Sequence, residues 1–453
     1  MYKELNRRQF IQTSAAIGAG LYVSGKAMGA DAADKDVINV ALLGAGAQGQ
    51  VLMDSIMKKK DKSVRFVAVC DIWEPNRTRV KRRLKAYSSA LGYRDADYVD
   101  FQEMLDAETD LDAVIIATPD FWHAPHTVAC LEKGLHVYCE KEMSNTVEGA
   151  RKMMEAQRKT GKLLQIGHQR RSNPRYIHCH DKLIEEANIL GRITMINGQW
   201  NRSRSSCEDL GWPDGTELDE ATLNKYGFES MTQFRNWRWY KGLGGGPIVD
   251  LGSHQIDIYS WFLGANPTSV TASGGTDYWT DHEWYDCVMA VYEYQTKAGP
   301  VRAFYQTGTT NSYGGYFETF MGDEGTLMIS ESAGQGSVFK ENWVDEEKWQ
   351  PWIQKGYIRK PQVAPAVKGQ AEAEAVLDVR EGGYSEDEYK IPVVMDVPYH
   401  QPHLVNFFDS IRGKATLNCP AEVGFETAVT VLRVNEAVAQ NGRVDFKPED
   451  FHS

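Results

Sequence analysis

The chain has 453 residues, 42% hydrophobic and 25% charged, with a net charge of −12. That length fits two large domains or about three smaller ones, and the composition excludes global disorder. An acidic chain with no long Lys/Arg tract excludes nucleic acid as a partner, because such affinity comes from neutralising phosphates. No run of about 18 apolar residues is present, so no membrane span is expected. The seven cysteines are scattered and include no Cys-x-x-Cys pair. This argues against a disulfide scaffold and against a metal site.

Residues 1–32 stand apart from the rest. Arg7-Arg8-Gln9-Phe10-Ile11 precedes a charge-free stretch rich in Ala, Gly and Ser, and small residues near Ala27, Ala30 and Ala32 offer cleavage sites. The order of these features resembles a twin-arginine export signal. It implies a periplasmic protein that meets the twin-arginine export machinery.

From Val37 the pattern alternates strand and helix, and the expected first domain covers 36–160. Val37–Leu43 is a short apolar run ending in Gly44-Ala45-Gly46-Ala47-Gln48-Gly49, and a helix follows to about Lys60. Val64–Cys70 forms a second strand ending at Asp71. Ala113–Ala117 ends in Thr118-Pro119-Asp120, and 135–139 ends in Glu140-Lys141. Strands alternating with helices imply an α/β, doubly wound parallel sheet, which binds ligands beyond the carboxyl ends of its strands.

In Gly44-x-Gly46-x-x-Gly49 the first glycine permits the turn and the second admits a pyrophosphate to the backbone. The third allows close helix–strand packing. Asp71, 27 residues after Gly44, is placed to accept from a ribose 2′-hydroxyl and to repel a 2′-phosphate, which favours NAD over NADP despite Arg77 and Arg79 nearby.

A second domain is expected over 161–441. Its β-like runs (192–200, 268–274, 284–294, 301–309, 316–321, 326–330) predict an open, mostly antiparallel sheet in an α+β domain. Residues 340–395 read as an insertion or loops, with 361–390 the clearest case. Helices are expected at 401–411 and 421–440, and 442–453 reads as a tail.

Gly244-Gly245-Gly246-Pro247 opens a predicted helix that Gly264 ends, with Asp250 and His254 four residues apart on one face. A carboxylate beside an imidazole orients it and raises its pKa, as a general acid/base requires. His178, Cys179 and His180 read as an incidental cluster. Seven of the twelve tryptophans lie between Trp200 and Trp284, and aromatic faces suit the apolar faces of sugar rings as well as a core.

Taken together, Gly-x-Gly-x-x-Gly, Thr118-Pro119 with His123, Glu140-Lys141 and Gly-Gly-Gly-x-x-x-Asp-x-Gly-x-His resemble the Gfo/Idh/MocA oxidoreductases from about Val37 to Asn441. The resemblance implies a Rossmann domain followed by a domain whose open sheet mediates a homodimer or homotetramer. It implies that Gly44, Gly46, Gln48, Gly49 and Asp71 hold NAD, and that Thr118, Pro119, His123 and Glu140 line the nicotinamide half. Trp237 and Arg238 match the Trp-Arg segment near the active site, and Lys141, Asp250 and His254 form the catalytic set. Glu142 departs from the family's Glu-Lys-Pro. It removes a backbone constraint, makes a cis bond costly and puts an extra carboxylate near the pocket.

The expected chemistry is oxidation of a secondary hydroxyl on a sugar or glycoside by a tightly held NAD. His254 acts as base, oriented by Asp250, and Lys141 stabilises the oxygen. Two alternatives remain open. One is a glycosidase or lyase that works through a transient keto-sugar, and the other is a non-catalytic sugar- or nucleotide-binding protein.

Overall fold

The computed structural model describes residues 37–59, 62–88, 94–332, 334–361 and 387–452. The expected export signal at 1–32, and residues 362–386 of the expected loop, lie outside the described residues.

Six parallel strands form the first sheet: β1 (Ile38–Leu43), β2 (Val64–Cys70), β3 (Asp97–Tyr98), β4 (Ala113–Ile116), β5 (His136–Cys139) and β6 (Leu164–Ile166). Their order is β3-β2-β1-β4-β5-β6. Val40, Leu42, Val69, Val114 and Ile115 are fully buried, because helices cover both faces and leave no solvated side. The order reverses between β1 and β4, and the crevice at that switch point is where such sheets take ligands.

The second sheet has nine strands, from β7 (Ile193–Asn201), β8 (Pro267–Gly275), β9 (Cys287–Thr296) and β10 (Gly299–Gly308) through β11 (Tyr316–Gly322) and β12 (Gly325–Ile329) to β13 (Gly336–Lys340), β14 (Glu388–Lys390) and β15 (Arg443–Asp445). The order is β14-β13-β12-β11-β7-β10-β9-β8-β15. Only β7 and β10 pair in parallel. Along β9 and β10 burial alternates, so one face packs inward while Met289 and Val291 remain exposed on the other. Helices Gly252–Leu263 and Ala421–Ala439 pack on the covered face.

Three expectations about boundaries need correction. β6 belongs to the first sheet, so that unit runs past residue 160. The expected 442–453 tail instead supplies β15, which pairs with β8 and buries Val444, Phe446 and Phe451. Within 340–395, helix Glu346–Gln354 buries Trp349, and β14 pairs with β13. The expected helix 401–411 forms as Gln401–Ile411. It docks back on the first domain, where Leu404, Phe407 and Phe408 join the core of Leu42, Leu52 and Tyr138.

Candidate active site

The glycine turn is built for close approach. Gly44 takes φ +94°, and a side chain there would meet the Ala117 backbone at 2.5 Å. A Cβ on Gly49 would strike the Gly44 carbonyl oxygen, whereas Gly46 faces open space with its nearest neighbour, Asn76 Nδ2, at 3.9 Å. Helix Ala47–Lys58 starts at Gly46 without a side-chain cap, so its first-turn amides can receive a phosphate. Asp71 accepts from Ala45 N (2.8 Å), Trp73 N (2.8 Å) and Asn76 Nδ2 (3.2 Å). It therefore braces the turn as well as lining the cleft. Arg77 is committed to Asp71 O and to Asp97, while Arg79 lines the cleft.

A cleft of about 580 Å³ runs from Asp71 past the glycine turn to Lys141. Gly44, Gly46, Gln48, Thr118, Pro119, His123, Glu140, Trp237 and Arg238 all line it, and Gly49 alone of the expected cofactor residues packs beneath. His123 lies 2.7 Å from both Glu142 O and Thr118 O, which ties the turns after β4 and β5 together. The residues fit a dinucleotide, since the open backbone over Gly46 is the space a pyrophosphate needs.

A second cleft of about 420 Å³ opens from the first. Gln48, Glu140, Lys141 and Arg238 line both, so Lys141 stands at the junction. Asp250, His254 and Trp200 line the second cleft only.

Lys141 Nζ donates to the Asp250 carbonyl (2.6 Å) and to its Oδ1 (3.3 Å). Arg238 Nε also reaches Oδ1, at 3.2 Å, and Arg202 lies 3.8 Å from Oδ2. Burial by itself raises the Asp250 pKa, but these three cations hold it well below the usual carboxylate range.

Here the sequence expectation fails. Asp250 ends a short helix, Gly246–Asp250, and the chain breaks at Leu251 before Gly252–Leu263 begins. The two residues do not share one continuous helix, and the hydrogen bonds to the Asp250 carboxylate come from Lys141 and Arg238 rather than His254. The His254 ring packs on Trp200 with centroids 5.3 Å apart, and its Nδ1 is buried without a partner, so Nε2 is left to face the cleft. Burial, and the charges of Lys141 and Arg170, hold the imidazole well below its ordinary pKa. It is neutral at pH 7, not raised as expected.

Glu142 also differs from expectation. The Lys141–Glu142 peptide is cis, and the carboxyl points away from both clefts into the interior, where it is 1% exposed. Burial pushes its pKa up to about 8.

Sequence reasoning missed several groups. Asp120 lines the first cleft, and burial pushes its pKa up to about 7 against the opposing charges of Lys141 and Arg238. His400 meets Gln48 at 3.0 Å across a separation of 352 residues. Asp120 could have been read from its strand-end position, but no local signal marks His400. The cysteines are all free. His178 contacts Tyr357 O and His180 contacts Asp181, so each is used locally. Among the described residues, Asp209, Asp281 and His282 bring their side-chain oxygen and nitrogen atoms within 4.8 Å of one another, and the His282 ring stacks with Trp239 and Trp279.

With this geometry in place, two family profiles match the chain. "Oxidoreductase family, NAD-binding Rossmann fold" covers residues 38–168, and "GFO/IDH/MocA C-terminal domain" covers 182–328. The chain belongs to the Gfo/Idh/MocA oxidoreductase family. Among characterised members, it is 28% identical over 238 residues to scyllo-inositol 2-dehydrogenase (NADP(+)) of Bacillus subtilis, covering 52% of this chain and 55% of that one. It is 27% identical over 229 residues to D-glucoside 3-dehydrogenase of Escherichia coli, covering 50% and 54%. The chain thus spans about half the length of the curated relatives it matches.

Solved structures of similar fold include levoglucosan dehydrogenase in complex with NADH and L-sorbose. That match has a TM-score of 0.63 and 18% identity, and covers 92% of this chain and 100% of that one. WlbA dehydrogenase from Bordetella pertussis, in complex with NADH and UDP-GlcNAcA, gives a TM-score of 0.61 and 18% identity, covering 91% and 99%. At that identity the likeness establishes the Gfo/Idh/MocA fold alone.

Proposed function

We propose that this Gfo/Idh/MocA protein is an NAD-dependent oxidoreductase acting on a secondary hydroxyl of a sugar or glycoside, with the cofactor tightly held. The observation that carries this reading is Lys141 at the meeting point of the two clefts, with Asp250 and His254 on the substrate side. Names of relatives such as D-glucoside 3-dehydrogenase and scyllo-inositol 2-dehydrogenase support the substrate class.

A bound nicotinamide supplies the acceptor for the substrate's C–H hydrogen with its electron pair. The chain supplies the rest. Neutral His254 takes the hydroxyl proton at Nε2, and Lys141 Nζ holds the same oxygen and stabilises its developing negative charge. Asp250 positions the lysine, and Arg238 and Arg202 share its carboxylate. Asp71 supports NAD over NADP, as its carboxylate would repel a 2′-phosphate.

Tight retention draws support from a separate apolar cluster. Trp73 of the first domain packs with Leu223, Tyr226, Phe228, Met231 and Leu243 of the second. Trp73 Nε1 donates to Thr216 O at 2.6 Å, Trp122 Nε1 donates to Tyr226 O at 3.0 Å, and Leu210 and Pro213 line the cleft. Two further proposals rest on the sequence: export to the periplasm through the Arg7-Arg8 segment, and a homodimer or homotetramer formed through the open sheet face.

The test is to purify the protein, read bound nicotinamide from its absorbance, and add a panel of sugars and glycosides. Resident NAD that becomes reduced with one of them is the expected result. A cofactor-free protein that stays silent with added NAD ends the proposal.

A further inference from the structure

The wall of the second cleft also holds a charge arrangement that the proposed reaction does not use. Arg170 is 1% exposed and donates from Nε to Glu331 Oε2 at 2.9 Å and from Nη1 to Glu318. Gln169 Nε2 reaches the other oxygen of Glu331 at 3.4 Å. Glu318 is fully buried and also accepts from the Tyr176 hydroxyl at 2.8 Å, while Glu331 lines the cleft. A buried guanidinium is costly unless paired and hydrogen-bonded. Arg170 meets that condition behind the wall, and it fixes Glu331 with an edge toward the cleft.

Arg170 also sits behind the aromatic part of this wall, 5.6 Å from the Trp200 ring and 5.7 Å from Tyr316. Trp200 stacks on Tyr316 at 4.6 Å and packs on His254 at 5.3 Å. All three line the same cleft as Glu331. Four cationic and four anionic side chains line the cleft, so no excess charge calls for an ionic substrate. Three of those cations are engaged with Asp250, whereas the cation that balances Glu331 lies behind it.

We propose that Glu331, fixed by Arg170, reads the hydroxyls of an uncharged sugar bound beside Trp200 and Tyr316, and that it excludes uronates and sugar phosphates. A carboxylate accepts from two neighbouring hydroxyls, whereas a carboxylate or phosphate on the substrate has no proton to donate to it and is repelled. The inference rests on the proposed sugar site but names its selectivity, and binding can be read without turnover.

The experiment is calorimetric titration of the full chain, loaded with NAD, using methyl glycosides of common hexoses and the corresponding uronates and 6-phosphates. Wild type is expected to bind at least one uncharged glycoside about tenfold or more tighter than its uronate. Glu331→Gln keeps the shape, so it should weaken the glycoside by about tenfold, the worth of one hydrogen bond to a charged group, and narrow the gap to the uronate. In turnover, KM should carry the change while kcat stays within about twofold, and Glu331→Asp should restore part of the affinity. A single cooperative thermal transition establishes that each variant folds.

Tighter uronate or phosphate binding by wild type, unchanged affinity in Glu331→Gln, or no binding of any glycoside overturns the proposal. If the binding contrast holds but no sugar reduces the cofactor, the oxidoreductase reading falls and the subsite stands. If turnover is seen and Glu331→Gln changes nothing, the reverse is true.

Discussion

Lys141 Nζ lies 2.6 Å from the main-chain oxygen of Asp250 and 3.3 Å from its carboxylate, joining the end of the first sheet to a helix terminus 109 residues away. This contact spans the two domains at the point where their clefts meet. It orients the lysine before any substrate arrives.

Replacing Lys141 with Met should therefore remove both the oxygen ligand and the partner of Asp250. We expect kcat/KM to fall by about 10²–10³-fold or more, as for loss of one stabiliser of developing charge. Retention of bound NAD should change far less, because the glycine turn and Asp71 are left intact. Steady-state rates and absorbance of the purified variant check both; full activity in Lys141→Met would sink the catalytic assignment.

The pH profile follows from His254. A base must be deprotonated to act, and burial together with the Lys141 and Arg170 charges depresses this imidazole. The acid limb of kcat/KM for sugar oxidation should accordingly lie below the ordinary histidine value of 6.5, and activity should be lost only as pH falls through that lower pKa. An acid limb at or above 6.5 would contradict the neutral imidazole.

Glu142 predicts a stability slope of the opposite sense. Its pKa is raised by burial from 4.5 to about 8. The folded state thus binds more protons than the unfolded state between those values. Its contribution is fully present below pH 4.5 and is lost as pH rises toward 8, at up to about 1.4 kcal/mol per unit. Glu142→Gln should flatten this part of the curve. Denaturant titrations at pH 5, 6, 7 and 8 would reveal an unchanged slope if the idea is wrong.

Asp71 bears on cofactor choice through its hydrogen bonds. Because it holds Ala45 N and Asn76 as well as facing the cleft, Asp71→Ala should loosen the glycine turn and not merely relax specificity. NAD affinity is expected to fall about tenfold or more, with a smaller gain or none for NADP. A clean switch to NADP at undiminished affinity would show that Asp71 does not brace the turn.

Much of the site was legible in the chain. Every expected cofactor and catalytic residue lines one of the two clefts except Gly49, whose role is to pack. The glycine turn, the strand-end clusters and the helix terminator Gly264 each follow from local backbone demands, which a few adjacent residues satisfy among themselves. The weakest expectations concerned short elements. β14 and β15 have three residues each, too few for a period to register, and pairing with a neighbouring strand decides them.

What the sequence by itself determined was the class of fold and the segments that line the clefts, because periodicity and turn chemistry are short-range properties. Only the tertiary structure decided what their side chains do to one another. Spacing placed Asp250 beside His254. Instead the chain breaks at Leu251, and three cations gathered from distant segments claim the carboxylate. Arg170 and Glu331, 161 residues apart, meet for the same reason. Buried charges must find opposite charges wherever the sheet order brings them, and that order is not written in any local stretch of chain.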